Sequence, residues 1–117
     1  MISASQASLS GLQAFTTKIQ SNADNIANSN TNGFKKTLVT NSSISLQGVK
    51  AQVNRLTAPG PTVYQETDTG MEPVELSNVD LAKEFVDLNL NSTMYKANLK
   101  TLESVNDMTG LLLKLKS

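Results

Sequence analysis

The sequence predicts a mainly α-helical chain, with a long helix at each end and a short strand-containing insert between them. Apolar residues recur at helical spacing near both ends, and all three Pro and four of the six Gly lie between Gly33 and Pro73. We therefore divide the chain into an N-terminal helix with an Asn-rich turn (1–36), a short β-hairpin and loop insert (37–76) and a long C-terminal helix (77–117). The two helices are expected to form a coaxial coiled-coil pair.

The first helix is predicted from a narrow apolar stripe that runs to about Ser29. Residues three and four apart along this stripe are Ile2, Ser5, Leu9, Leu12, Thr16, Ile19, Ala23 and Ile26. A stripe this narrow, with small or polar members, is typical of a seam between helices rather than of a globular core. A plain core helix is the alternative.

An Asn-rich turn is predicted to end this helix. Five Asn fall between Asn22 and Asn32, just before Gly33 and Phe34. Asn tolerates left-handed backbone angles and bonds to nearby main chain, and Gly is free to adopt positive φ. The predicted turn motif is Asn25, Asn28, Thr31, Gly33 and Phe34. Phe34 either packs on the first helix or inserts into a neighbouring subunit, and a solvated loop is the plain alternative.

One small β-hairpin is predicted in the insert. Its strands are Gln47–Ala58, where apolar residues alternate weakly, and Thr62–Tyr64, joined by a turn at Ala58–Pro61. The segments Asn41–Ser45 and Glu66–Pro73 are predicted to be polar loops.

The last helix is predicted to begin at Ser77 or Asn78 as its N-cap, with Asp80 completing a capping box. Lys114 and Lys116 in the last turn complement the helix dipole. A helix of about 35 residues spans ~50 Å at 1.5 Å per residue. This is far more than the ~13–14 Å radius of gyration of a compact domain with the length of this chain. Its apolar series is Leu81, Phe85, Leu88, Tyr95, Leu99, Leu102, Val105, Met108, Leu112 and Leu115.

When the two helices pack on each other, one side of each apolar stripe stays exposed to water. Other chains are therefore expected to cover it. The predicted subunit-packing set is Leu9, Leu12, Ile19 and Ile26 on the first helix, with Leu88, Tyr95, Leu99, Leu102 and Leu112 on the last.

Composition argues against several classes of function. Ten basic and ten acidic side chains give a net charge of zero, so nucleic-acid binding is not expected. The chain has no His and no Cys, and no nucleophile or phosphate-loop signature, so we predict no enzyme activity, cofactor or metal. No apolar run or signal-peptide pattern predicts membrane insertion or a cleaved leader. Lys35-Lys36 is expected to be a solvated pair, with contact to a negative neighbour or lipid headgroups left open.

Two segments resemble the signatures of the bacterial flagellar axial proteins, the rod, hook and hook-associated subunits. Ala23–Asn28 followed by Thr31–Lys35 resembles their N-terminal signature, and Ser77–Ala82 through Tyr95–Asn98 resembles their C-terminal signature. Asp24 stands where the family usually has a second Asn. Two signatures in the right order at the two ends are more specific than either alone.

The resemblance implies a structural role in the flagellum. In that family the terminal segments pair as coaxial helices that line a tubular polymer, and larger members insert outer domains between them. Because the insert here covers only 37–76, the chain looks most similar to a small rod protein of the basal body. The N-terminal signature is more similar to the distal-rod and hook branch, whereas the length is more similar to the proximal-rod branch.

The same resemblance implies partners and a location. The partners would be copies of this chain, other rod and hook proteins, and the flagellar type III export apparatus, which exports such subunits unfolded. The location would be the rod, where it spans the periplasm. The ends of such subunits are typically disordered before assembly, and folding on binding would let the polymer supply the missing burial.

Two other functions remain open from the residues. The first is a soluble coiled-coil adaptor that forms a closed dimer or small bundle, with the insert as a binding hairpin. The second, less favoured, is an export cargo or a relative of virulence-type secretion needles. The adaptor and a rod subunit differ in how their assemblies end. A small bundle is closed and stops at a fixed mass, whereas a rod subunit joins an open assembly.

Overall fold

The computed structural model describes residues 2–116. Two long helices enclose a four-stranded insert in the chain. The elements in order are α1 (Ile2–Ala27), β1 (Thr37–Ser43), β2 (Val49–Arg55), β3 (Thr62–Thr67), β4 (Gly70–Glu75) and α2 (Leu81–Lys116). The prediction of two terminal helices around a small strand insert is confirmed.

The strands form two separate antiparallel hairpins rather than one sheet. In the first hairpin, the pairs run from Thr37 opposite Arg55 to Ser43 opposite Val49. In the second, Thr62 lies opposite Glu75 at the open end.

The prediction of a single hairpin is therefore wrong. The predicted loop Asn41–Ser45 lies mostly in β1, the predicted loop Glu66–Pro73 lies mostly in β3 and β4, and Ala58–Pro61 connects the two hairpins. The first turn gave no sequence signal, because Leu46 and Gln47 have φ of 72° and 69° where Asn and Gly are usual. β3 is exposed along its whole length, so no buried face imposes an apolar alternation on it.

The helices pack against each other in antiparallel directions. Asn22 near the end of α1 contacts Glu84 and Asn91 near the start of α2, whereas Gly11 lies opposite Asn98. With 26 and 36 residues, the helices measure about 39 and 54 Å at 1.5 Å per residue. The last turns of α2, from about Met108 onward, consequently extend beyond the start of α1.

The first hairpin runs back along α1. Thr37 at its base bonds to Asn25, and the backbone N–H of Val49 near its tip donates to Ser10 Oγ at 3.1 Å. Seven strand residues span about 23 Å and the helix from Ser10 to Asn25 about 22 Å, so the hairpin and the helix match in length.

The second hairpin extends the molecule lengthwise. Within residues 2–116, β3 and β4 contact each other but neither helix. The molecule measures 81 × 24 × 18 Å. Because α2 accounts for only about 54 Å, the hairpin must continue the long axis beyond the start of α2.

The interior is thin and largely polar. Among the described residues, the buried apolar side chains are Leu12, Ala14 and Val105. The buried polar residues are Ser8, Asn22, Asn25, Ser77, Glu84 and Asn91. Hydrogen bonding therefore carries much of the specificity of this fold.

The predicted N-cap of the last helix is wrong. The helix begins at Leu81, and Asp80 is its cap, since Asp80 Oδ1 accepts from the backbone N–H of Lys83 at 3.3 Å. Ser77 Oγ accepts instead from the Val79 N–H at 3.1 Å, and the Asn78 side chain is engaged elsewhere. A sequence pattern cannot distinguish a cap from a residue recruited by a distant strand.

Candidate functional site

The end of α1, the bases of both hairpins and the approach to α2 meet at one place, which we call the junction (Asn25, Gly33, Thr37, Glu75 and Asn78). Asn25 is 1% exposed. Its Nδ2 donates to the Thr37 carbonyl at 2.8 Å, and its Oδ1 accepts from the Thr37 N–H at 2.9 Å. The Asn25 amide thus pairs with β1 as another strand's peptide group would.

Asn78 joins the other segments at the junction. Its Oδ1 accepts from the Lys36 N–H at 2.7 Å, and its Nδ2 donates to the carbonyls of Leu56 and Ala58, each at 2.9 Å. Its backbone N–H donates to the Phe34 carbonyl at 3.2 Å. One side chain therefore holds the turn, the first hairpin and the approach to α2 together.

Gly33 and Glu75 close the junction on the side of the second hairpin. Gly33 has φ of 72°, a left-handed value, and its N–H donates to the Glu75 carbonyl at 2.9 Å. The Glu75 carboxylate pairs with Lys35 and accepts from the Gly60 N–H at 3.1 Å. These bonds, first that from Lys35 and then that from Gly60, hold the pKa of Glu75 below its usual value.

The expectation that Lys35 belongs to a solvated pair is wrong. Lys35 Nζ also donates to the Ala58 carbonyl at 3.4 Å, so it ties the connector between the hairpins to β4. Its partner Glu75 is 40 residues away in the chain, and local charge patterning carries no signal for such a pair.

The rest of the turn is held by short-range bonds. Asn28 Nδ2 donates to the Asp24 carbonyl at 2.9 Å, and Thr31 Oγ1 donates to Asn28 Oδ1 at 3.2 Å. The Phe34 N–H donates to the Thr31 carbonyl at 3.2 Å, and Phe34 is half-buried. These bonds lie between the end of α1 and the start of β1, and the role of the five residues as one turn motif stays a prediction.

A buried polar cluster links the two helices. Asn22 Nδ2 donates to Glu84 Oε2 at 2.7 Å, and Asn91 Nδ2 donates to Asn22 Oδ1 at 2.8 Å. All three residues are buried, and within residues 2–116 every buried side-chain nitrogen and oxygen has a hydrogen-bond partner. The cluster therefore fixes which turns of α1 and α2 face each other.

Glu84 and Asn91 belong to a heptad seam that continues along α2. Glu84, Asn91 and Asn98 are seven residues apart, and half-buried Leu88, Tyr95 and Leu102 alternate with them at spacings of three and four, ending at buried Val105. Gly11 allows the close approach, because a Cβ there would lie 2.5 Å from Asn98 Oδ1. The apolar pattern of the sequence does not reveal the polar members of this seam.

Residues 73–115 match the family described as flagellar basal body rod FlgEFG protein, C-terminal. The matched segment contains the end of β4, the junction residue Asn78 and the seam of α2. Over this C-terminal segment the chain is similar to the flagellar rod and hook family. No curated protein matches the chain. Members of this family are structural components of the flagellar basal body and are not known as enzymes.

The predicted packing set divides into buried, half-buried and exposed members. Leu12 is buried, and Ile19, Ile26, Leu88, Tyr95 and Leu102 are half-buried. The remaining members, Leu9, Leu99 and Leu112, are exposed. Their packing between subunits stays a prediction.

The helix α2 carries a second stripe that no other described element of the chain covers. We call it the outer stripe, and its exposed apolar members are Val86, Leu90, Met94, Met108, Leu111 and Leu115. At 100° per residue these positions are centred about 120° around α2 from the seam, on one flank of the helix, and Ala97, Thr101 and Ser104 continue the spacing of three and four between them. The sequence analysis assigned only Met108 and Leu115 of this stripe to an apolar face.

Other features of the described residues offer no alternative site. A cavity of about 50 Å³ beside the polar cluster is lined by Lys18, Lys36, Lys83 and Asp87. Across residues 2–116, no group of three or more carboxylates could hold a metal ion. Neither helix in this part of the chain is both long and apolar enough to cross a membrane.

Proposed function

We propose that this chain is a structural subunit of the flagellar basal-body rod, which assembles by packing of its terminal helices into a tubular drive shaft. The observation that carries the proposal is the family match over residues 73–115, because this segment forms the longest element of the molecule. The proposed role is mechanical and includes no catalytic step.

The distribution of apolar side chains supports assembly. The chain buries few apolar residues, yet it exposes Leu90, Met94, Leu111 and Leu112 along α2. A monomer rarely exposes large apolar patches unless a partner covers them. Copies of this chain and other rod and hook proteins are the proposed partners.

The seam between α1 and α2 supports a coaxial coiled-coil pair as the building block. Its spacing of three and four from Glu84 to Val105 is the heptad pattern of such pairs. The junction joins the two segments that resemble the family's signatures, so the subunit enters the assembly as one unit. We further propose export through the flagellar type III apparatus and a location in the rod, spanning the periplasm.

Mass spectrometry of purified hook–basal bodies from the source bacterium tests the proposal. We expect to find this chain there, at a copy number comparable with that of other rod subunits. Its absence from intact basal bodies, together with a discrete soluble oligomer in the cytoplasm, would instead support the closed coiled-coil adaptor.

A further inference from the structure

The two ends of the molecule carry opposite charges. The second hairpin (β3–β4, Thr62–Glu75) contains Glu66, Asp68, Glu72 and Glu75 and no basic residue. The projecting end of α2, Met108–Lys116, contains two lysines and no acidic residue. We call these regions the acidic hairpin and the basic tip.

Both regions also expose large apolar side chains. On the acidic hairpin, Tyr64 is 69% exposed, Met71 is exposed on the same face, and Val63 is exposed on the opposite face. On the basic tip, Leu113 is 65% exposed, and Leu111 and Leu115 are exposed as well. Each region therefore combines an apolar surface with charge of one sign, as the centre and rim of a protein interface do.

The two regions cannot meet within one chain. The acidic hairpin extends beyond the start of α2, whereas the basic tip is the end of α2. The long axis of the molecule measures 81 Å. Neither hairpin contacts α2 in the part of the chain that the structure describes. A contact between these regions requires a second copy of the chain, placed head to tail with the first.

The other hairpin does not fit the basic tip. From Thr37 to Arg55 the chain carries Lys50 and Arg55 and no acidic residue, so like charges would face each other. Its turn nevertheless exposes an apolar side chain, since Leu46 is 94% exposed. Charge thus discriminates between two hairpins of similar size and exposure.

We propose that the basic tip of one copy packs on the acidic hairpin of the next copy and so sets the axial contact of the assembly. The inference rests on the proposed function, because it assigns a specific contact within that assembly. Apolar contact through Tyr64 and Leu113 supplies attraction, and Lys114 and Lys116 facing Glu66 and Asp68 supply direction.

Cross-linking tests this contact. The chain has no Cys, so single engineered thiols are unique. Cells of the source bacterium would express an epitope-tagged Tyr64→Cys copy together with an untagged Leu113→Cys copy, and a short bis-maleimide would be added. We expect a tagged dimer at twice the 12.5 kDa mass of the chain. In the matched control, Leu46→Cys replaces Tyr64→Cys, and we expect several-fold less dimer.

Charge exchange provides the second measurement. Lys114→Glu with Lys116→Glu should reduce the Tyr64–Leu113 dimer several-fold. Adding Glu66→Lys with Asp68→Lys to the tagged copy should restore it, because the charges are again opposite. Loss without restoration would overturn the proposal, as would equal yields from the Leu46 control.

The outcomes separate this inference from the proposed function. If the Cys variants enter hook–basal bodies but the Tyr64–Leu113 dimer does not form, or Leu113→Cys links only to another axial protein, the contact is wrong and the rod function stands. If neither the variants nor the wild-type chain enters hook–basal bodies, both are wrong.

Discussion

Asn25 takes the place of a backbone peptide group where α1 meets β1. Its amide satisfies both the N–H and the carbonyl of Thr37, at 2.9 and 2.8 Å, and Ser21 Oγ lies 2.6 Å from Thr37 Oγ1. Asp in this position could accept but not donate, and Ala could do neither. The side chain of Asn25 therefore fixes the position of β1 relative to the end of α1.

We expect Asn25→Ala to lower the free energy of unfolding by about 2–4 kcal/mol, because two main-chain groups lose their partners in a buried site. Urea unfolding followed by circular dichroism measures the change, and hydrogen exchange of the Thr37 amide localises it. Asn32→Ala, at an exposed position of the same turn, is the control and should change the free energy by less than about 0.5 kcal/mol. Equal effects of the two variants would contradict the assigned role.

Glu75 makes the junction sensitive to acid. Its pKa is lower in the folded chain than its ordinary value of 4.5, chiefly because of the hydrogen bond from Lys35, so the folded state binds this proton less readily than the unfolded state. The contribution of Glu75 to stability is therefore complete above about pH 4.5 and is lost as the pH falls through the lower folded pKa.

We expect Glu75→Gln to reduce the loss of stability between pH 5 and the acid limit of folding, measured by urea unfolding at a series of pH values. Glu66→Gln is the matched control, because it removes an exposed carboxyl of the same hairpin away from Lys35. A pH profile that Glu75→Gln leaves unchanged would show that the ion pair contributes nothing in solution.

At the scale of the elements, the helix pair combines an inner seam with an outer stripe. The inner seam alternates Leu88, Tyr95 and Leu102 with polar residues, and a buried polar group at a seam position can fix register at some cost in stability. We interpret the cluster of Asn22, Glu84 and Asn91 in this way. The outer stripe has no such cluster among its described members, in keeping with a surface that meets other chains.

Two substitutions on α2 should separate folding from assembly. Leu102→Asp places an unpaired charge in the inner seam and should lower the free energy of unfolding by several kcal/mol. Leu90→Asp places the same charge on the outer stripe, where the side chain is exposed in the single chain, and should leave stability within about 0.5 kcal/mol. We expect both variants to abolish motility, but only the first to lose helical structure.

Asn89→Asp is the control for both, since it adds an acidic group at an exposed position beside the outer stripe. Soft-agar motility and recovery of the chain in hook–basal bodies are the measurements. A Leu102→Asp variant that still assembles and supports motility would contradict the helix seam, and a motile Leu90→Asp variant would remove the outer stripe from the interface.

At the scale of the whole molecule, the chain is elongated and buries little apolar surface. The radius of gyration is 20.8 Å, against about 13 Å for a compact domain of this length. An elongated chain has more surface to cover per residue, and this one buries only three apolar side chains among its described residues. Both properties agree with the proposed role of a subunit whose apolar surface is covered by neighbouring chains.

We expect the isolated subunit to be partly ordered, with a radius of gyration above 20.8 Å but below the roughly 35 Å of an unfolded chain. The junction and the polar cluster are closed by hydrogen bonds within the chain, whereas the side chains of Leu111, Leu112 and Leu113 are exposed. Small-angle scattering measures the radius, and hydrogen exchange should show protection at Thr37 and Asn91 and little in the last turns of α2. Uniform protection to the end of α2 would contradict this view.

The sequence by itself determined the helices, their approximate limits and the similarity of residues 73–115 to the rod family. Apolar residues at spacings of three and four are a local property, and so is a turn built from Asn and Gly, which is why the helices and the end of α1 could be predicted. The sequence pattern also predicted that the two helices cannot bury all of each other's apolar residues, because this depends only on the number and spacing of those residues.

Only the tertiary structure decided what Ser77, Asn78 and Lys35 do. Asn78 bonds to carbonyls 22 and 20 residues away, and Lys35 bonds to a carboxylate 40 residues away. Asp80, rather than Ser77 or Asn78, caps α2. The second hairpin was missed for a related reason. It buries neither face, and a strand that packs on nothing carries no periodic apolar signal.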